Sequence, residues 1–357
     1  MRQSKKSKPG QCGINSSSPM AVWFPLVLIW GSLLAQANSF KTANTNFIPQ
    51  PPDLGVAQPL YQPAGSDRTQ IPFELIDNRP VFRVRLNQSD KVFRFVLDTG
   101  SHMTVISTRT AARLNLQAMS RGRQAAGVGG KFAIVQGLLW SCEIGEVRLD
   151  NVPVFVRPFL NEGYPVDGYI GLSFISRFVT SVDYGARILT LERRAHDDRR
   201  DGPANFRGLD IPIRATPGGI VIADVRIEGI DSPLNFIMDT GATISVVGRG
   251  MEALTGISSC THGSIMRIVG AAGTEENVTT ILLPRLNVGA SERQNILAAV
   301  LDLEQISEAI GTQQMGIVGG DFLRHFRVVF DLPHGVVRLS PLAEEAMISS
   351  RTSEAPP

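Results

Sequence analysis

The alternation of apolar and polar positions predicts a chain built mainly from β-strands. Phe82, Val84 and Leu86 alternate with Arg83 and Arg85, the period of a strand with one face buried. Ala223, Val225 and Ile227 alternate with Asp224 and Arg226 in the same way. Val147, Leu149, Val152, Val154 and Val156 predict a meander, matched loosely by Leu286, Val288 and residues 298–301. Short apolar runs at 188–191 and 336–339 predict two further strands. Helical spacing is confined to short segments near 109–116 and 303–310.

The pattern is written twice. Phe95-Val96-Leu97-Asp98-Thr99-Gly100-Ser101 returns as Phe236-Ile237-Met238-Asp239-Thr240-Gly241-Ala242, 141 positions later. In both copies an apolar strand runs straight into a carboxylate. Burying a carboxylate without partners is costly, so this context is odd for a structural aspartate. One Asp-Thr-Gly could be an ordinary turn, but two in matched apolar frames mark a duplication. The obvious use of duplicated carboxylates is to bring them together. Roughly 30 residues beyond each motif lies a glycine-rich hairpin tip, Gly127-Val128-Gly129-Gly130 and Gly270-Ala271-Ala272-Gly273. Glycine there supplies positive φ and lets the backbone approach a ligand. Each repeat then closes on Ile170-Gly171 or Val318-Gly319, followed by its terminal strands.

This order of parts resembles the retropepsin-like and pepsin-like aspartic proteases, over nearly the whole of 80–340. The resemblance implies an all-β fold of two pseudo-symmetric retropepsin-like β-barrel lobes with short helices and a cleft between the lobes. It implies that Asp98 and Asp239 are catalytic. Thr99 and Thr240 would lock the two loops by reciprocal hydrogen bonds, and Gly100 and Gly241 would let backbone amides approach the carboxylates. Ser101 and Ala242 complete the support of the pair, and residues 170–171 and 318–319 would pack beneath it. Gly127, Val128, Gly129 and Gly130, with Gly270, Ala271, Ala272 and Gly273, would form two substrate-binding flaps. The chain departs from the pepsins in having no tyrosine near Gly127.

Two adjacent carboxylates titrate as a coupled pair that shares one proton. The ionised member can draw a proton from water while the protonated one polarises the scissile carbonyl. Water is the nucleophile, so this chemistry needs no cofactor and no metal. A polypeptide substrate would lie extended between dyad and flaps, bonded through its main chain like an added strand. The Ser101 hydroxyl is expected to stabilise ionised Asp98, putting the proton on Asp239, making Asp98 the base and giving a weakly acidic optimum. His102, where the second repeat has Thr243, reads as neighbouring structure.

The chain has 357 residues, a length that suits two domains, and 43% hydrophobic residues are enough for sizeable cores. Its formal charge of +2 includes Arg2, Lys5, Lys6 and Lys8 near the N-terminus. Without those four, 31 Lys+Arg face 33 Asp+Glu, and nothing suggests a nucleic-acid partner. The basic start, the apolar run 20–35 and Ala35-Gln36-Ala37 read as a cleaved export signal over 1–37. The alternative is a membrane anchor at 20–37 that leaves the lobes outside the cytosol. Export means a periplasmic or secreted protein.

The domain reading continues with a proline-rich tether at 38–72 and an N-terminal lobe at 73–192. A charged linker at 193–208, a C-terminal lobe at 209–340 and a disordered tail at 341–357 complete it. Histidines lack ligand spacing, so no metal site is predicted. An oxidising compartment permits a bridge between Cys142 and Cys260 without requiring one. One chain supplies both halves, which predicts a monomer. The function that follows is an exported aspartic endopeptidase. The rival is a silent peptide-binding or scaffolding module, and intact Asp-Thr-Gly in both repeats argues against it.

Overall fold

The computed structural model describes residues 21–23, 64–159, 165–193, 209–215, 220–251 and 261–342. Strands dominate, as the alternation requires, and the two repeats build two lobes on one plan. In the first lobe Arg79–Leu86 pairs antiparallel with Val92–Leu97, the strand that delivers Asp98. Arg83 and Arg85 face solvent while Val84 and Leu86 enter the core, so the strand is amphipathic in the sense that the sequence dictates. In the second lobe Val221–Ile227 pairs antiparallel with Leu234–Met238, the strand that delivers Asp239.

Each delivering strand is buried on both faces. Phe95, Val96 and Leu97 are fully buried, and so are Phe236, Ile237 and Met238. Such a strand needs a neighbour on its other edge. Gly168–Ile170 fills that role in parallel beside Val92–Leu97, and Gly316–Val318 does so beside Leu234–Met238. These are the strands that end in Ile170-Gly171 and Val318-Gly319.

Long hairpins complete each lobe. Ala118–Gly127 pairs with Gly130–Ile144, and Thr261–Val269 pairs with Thr274–Val288. The predicted meanders are Val147–Arg157 and Ser291–Leu301, each antiparallel to the long second strand of its hairpin. Helices form at Thr108–Arg113 and Glu304–Ile310. Ser107 caps the first by accepting from the Thr110 amide, and Gly311 ends the second in the left-handed conformation. The first lobe has no counterpart to Glu304–Ile310 among the described residues.

The lobes are joined by a shared sheet. Val179–Asp183 pairs antiparallel with Phe326–Asp331, its equivalent in the second lobe. Ile188–Glu192 and Arg68–Pro72 extend the sheet on one side, and Val336–Pro341 and Leu209–Ala215 on the other. The expected tether 38–72 is therefore corrected at its end. Arg68–Pro72 is an ordered edge strand whose partners lie beyond residue 187, and Thr69 is buried beneath it. Proline at its last position is tolerated at such an edge.

Ala64–Gly65 also pairs, with Val147 and Arg148, so ordered pairing begins well before residue 73. The tail begins one residue late, since Pro341 pairs with Phe326. Ala21–Trp23, inside the segment read as an export signal, runs parallel to Arg267–Val269. The rest of 1–37, most of the linker 193–208 and Cys260 lie outside the described residues. Cys142 is a free, buried thiol.

Candidate active site

Asp98 and Asp239 leave the ends of equivalent strands, and two pairs of threonine hydrogen bonds bring them together. The Thr99 amide donates to Thr240 Oγ1 at 3.2 Å, and the Thr240 amide donates to Thr99 Oγ1 at 3.0 Å. Each hydroxyl in turn donates across the lobe boundary, Thr99 to the Met238 carbonyl and Thr240 to the Leu97 carbonyl, both at 2.7 Å. All four bonds are buried, where a lost partner costs the full desolvation of the group left behind. Behind the loops the Asp98 amide donates to the Ile170 carbonyl and the Asp239 amide to the Val318 carbonyl, each at 3.0 Å.

The loops cross closely enough that only glycine fits beside the carboxyl groups. A Cβ on Gly100 would lie 2.4 Å from the Asp239 carboxyl carbon, and one on Gly241 would lie 2.8 Å from that of Asp98. The two carboxyl groups are buried side by side, so each bears on the proton affinity of the other.

Their surroundings differ. Asp239 Oδ1 accepts from the Gly241 amide at 2.8 Å and from the Ala242 amide at 3.2 Å. Burial raises Asp239 to about 6, against the lowering effect of those amides. Burial raises Asp98 well above the usual carboxylate range, and the Asp239 charge pushes it further. Both carboxyl groups are thus held above the usual carboxylate range, and the pair titrates as one coupled unit. Ser101 Oγ donates to the Met103 carbonyl at 2.8 Å, so the expected bond from that hydroxyl to Asp98 is not made.

The glycine-rich tips also meet. The Ala272 amide donates to the Val128 carbonyl at 3.1 Å, and Gly129 packs beside Gly273. Gly129 and Gly130 take φ of +89° and +120°, a turn that side chains resist. Contacts between equivalent parts of a two-fold arrangement fall on its axis. The shared sheet, the threonine pair and the hairpin tips thus lie along one pseudo-two-fold axis. Val128, Gly129, Gly270, Ala272 and Gly273 meet at this junction, and Gly127, Gly130 and Ala271 belong to the same two hairpin turns.

Several residues at the site carry no motif in the sequence. Asn78 Nδ2 donates to the Thr243 carbonyl at 2.9 Å, and Arg324 donates to Asn78 Oδ1 at 2.9 Å, which ties a first-lobe turn to the second lobe. Asp77 and Asn78 both have positive φ, so Asp-Asn ahead of the alternating strand was a readable hairpin signal. Arg157 is a buried cation at the end of an apolar strand. Its guanidinium lies 4.8 Å from the ring centre of Phe159 and 5.7 Å from that of Phe132. His102 is buried, and desolvation lowers it to about 4, so it is neutral at the pH where the aspartates share a proton.

Two lobes on one plan, each giving one aspartate to a common centre, define the acid-protease class. A family model described as aspartyl protease matches residues 82–174 and 223–322, more than half of the chain. The chain belongs to that family, as its resemblance implied. Among solved structures it is similar to the aspartic proteinase from Irpex lacteus, with a TM-score of 0.50 and 14% identity over 77% of this chain and 98% of that one. At that identity the likeness bears on the fold alone. No curated protein matches the chain.

Proposed function

We propose that this protein is an exported aspartic endopeptidase that hydrolyses peptide bonds on an Asp98/Asp239 dyad. The carrying observation is the crossed threonine bonding that sets two buried carboxyl groups against each other. Ionised Asp239, held by two amides, takes a proton from the attacking water. Protonated Asp98 donates towards the scissile carbonyl as its oxygen gains charge. Asp239 then gives the proton it took from water to the leaving nitrogen as the C–N bond breaks, and a hydroxyl of the diol returns a proton to Asp98, which restores the pair. An extended peptide enters beneath the two hairpin tips, which act as flaps. One chain supplies both lobes, so the working unit is a monomer.

The pH dependence follows with its sign. Activity is lost as pH falls through about 6, because Asp239 then takes up a proton and no base remains. It falls again at higher pH when Asp98 loses its own proton. The expected result is a kcat/KM profile on a peptide substrate with its acidic limb near pH 6, and activity unaffected by sulfonyl fluorides and chelators. Inhibition by either reagent would reject the mechanism.

Export rests on the basic and apolar start followed by Ala35-Gln36-Ala37. N-terminal sequencing of the protein recovered outside the cytosol is expected to begin near Asn38. Recovery of Met1 in a membrane fraction would favour the anchor instead.

A further inference from the structure

The two hairpins are restrained differently, although they are equivalent parts of a duplicated chain. The hairpin 118–144 rests on the opposite lobe through a helix with no counterpart in its own. Glu304–Ile310 packs along Ala118–Gly127, Gln305 lies against Gly130, and Lys131 pairs with Glu308 at 3.8 Å. That exposed ion pair contributes little by itself, but it marks where the helix grips the tip.

The hairpin 261–288 is held at its tip by other means. Arg157 Nη1 donates to the Ala271 carbonyl at 3.5 Å and to the Pro158 carbonyl at 3.1 Å. Its guanidinium is packed against Phe159 and against Phe132, which belongs to the first hairpin. Arg157 thus spans the gap between the two hairpins.

Among the described residues the second lobe has no mirror of this contact. Arg157 pairs with Ser107, and Leu301 pairs with Gly248, at equivalent ends of equivalent strands. Where the first lobe puts a buried cation, the second therefore puts a buried aliphatic side chain.

We infer that Arg157 is a positioning residue that latches the 261–288 hairpin shut, making that hairpin the gate of the cleft and 118–144 its fixed wall. The inference rests on the endopeptidase reading for its purpose but not for its test. With the latch closed, the Ala272 amide bonds the Val128 carbonyl and the tips bridge the cleft. Admission of a peptide breaks the Arg157–Ala271 bond and the bond between the tips. Both are re-formed around the bound substrate, so the latch acts chiefly on binding.

The test is hydrogen exchange at 126–131 and 270–274 in the full chain, compared with steady-state kinetics. Arg157→Met keeps an apolar stem and removes the donor and the cation. It is expected to speed exchange at 270–274 by about tenfold and raise KM by a similar factor, with exchange at 126–131 and kcat within about threefold of wild type. Arg157→Lys, which keeps a cationic donor, is expected to recover part of both changes. Glu308→Ala, which removes only that exposed ion pair, should leave exchange at both segments within about threefold of wild type. Every variant is compared in a chain with the same N-terminus, so the differences report the substituted residue.

Should Arg157→Met fail to fold, Phe159→Leu removes the nearer ring beneath the guanidinium, outside both hairpins, and should loosen 270–274 in the same sense. Equal loosening of both hairpins, or unchanged exchange at 270–274, overturns the latch. A raised KM with unchanged exchange also overturns it, since Arg157 would then be contacting substrate. Exchange is read without turnover, so a chain that cleaves no peptide can still support or refute the latch. A failed latch in an active enzyme leaves the endopeptidase reading standing.

Discussion

Asp98→Asn and Asp239→Asn are each expected to lower kcat/KM by about 10³-fold or more while leaving the fold intact, since either change removes one of two coupled acid–base roles. Asn at 239 still presents an oxygen to the Gly241 and Ala242 amides, but it cannot take a proton from water. Asn at 98 keeps its volume and loses the shared proton. The stability side has a definite sign. Burial raises both carboxyl groups, so the stability they contribute is fullest below their unfolded pKa and is lost as pH rises through about 6 for Asp239. Removing the Asp239 charge should therefore not lower the melting temperature at pH 7. Steady-state kinetics and thermal melts check both halves. Retention of a tenth of wild-type turnover by either variant would sink the shared dyad.

Gly100→Ala is expected to be nearly as damaging by a different route. Its Cβ would lie 2.4 Å from the Asp239 carboxyl carbon and 2.5 Å from an oxygen of the same group. Neither atom belongs to a flexible chain end, because the threonine bonds and the two amides fix the loop. Overpacking of this kind costs about 1–3 kcal/mol. A displacement near 1 Å at the reacting groups costs about 10²-fold in rate. Gly241→Ala meets Asp98 at 2.8 Å and should be the milder of the two. Melts and kcat/KM on both variants would show whether the order holds, and a fully active Gly100→Ala would mean that the two loops are not packed as described.

The fold and the centre of the site were legible because they are duplicated. Repetition turned a weak tripeptide into a pair of equivalent strand ends, and a pair needs a common place. The family resemblance carried by those motifs then implied the crossed loops, with Thr99 and Thr240 bonding across them. The partner of the Ser101 hydroxyl was not legible, since it had more than one possible acceptor and the local turn gave it the Met103 carbonyl. Asn78, Arg324 and Arg157 act across the lobe boundary, where partners are set by tertiary packing and no local period records them. The strand Arg68–Pro72 was hidden for a related reason. Its polar, proline-bounded sequence makes an edge strand only because Ile188–Glu192 lies beside it.

The most direct measurement is hydrolysis of an unfolded polypeptide by the full chain near pH 6, with and without a statine-containing peptide. A statine hydroxyl mimics the attacking water and would lie between the two carboxyl groups if they form the catalytic pair. The expected result is endoproteolytic cleavage by the wild type, stopped by the statine peptide and lost in Asp98→Asn. A correctly folded wild type that cleaves nothing, or cleavage that persists in Asp98→Asn, would contradict hydrolysis on this dyad.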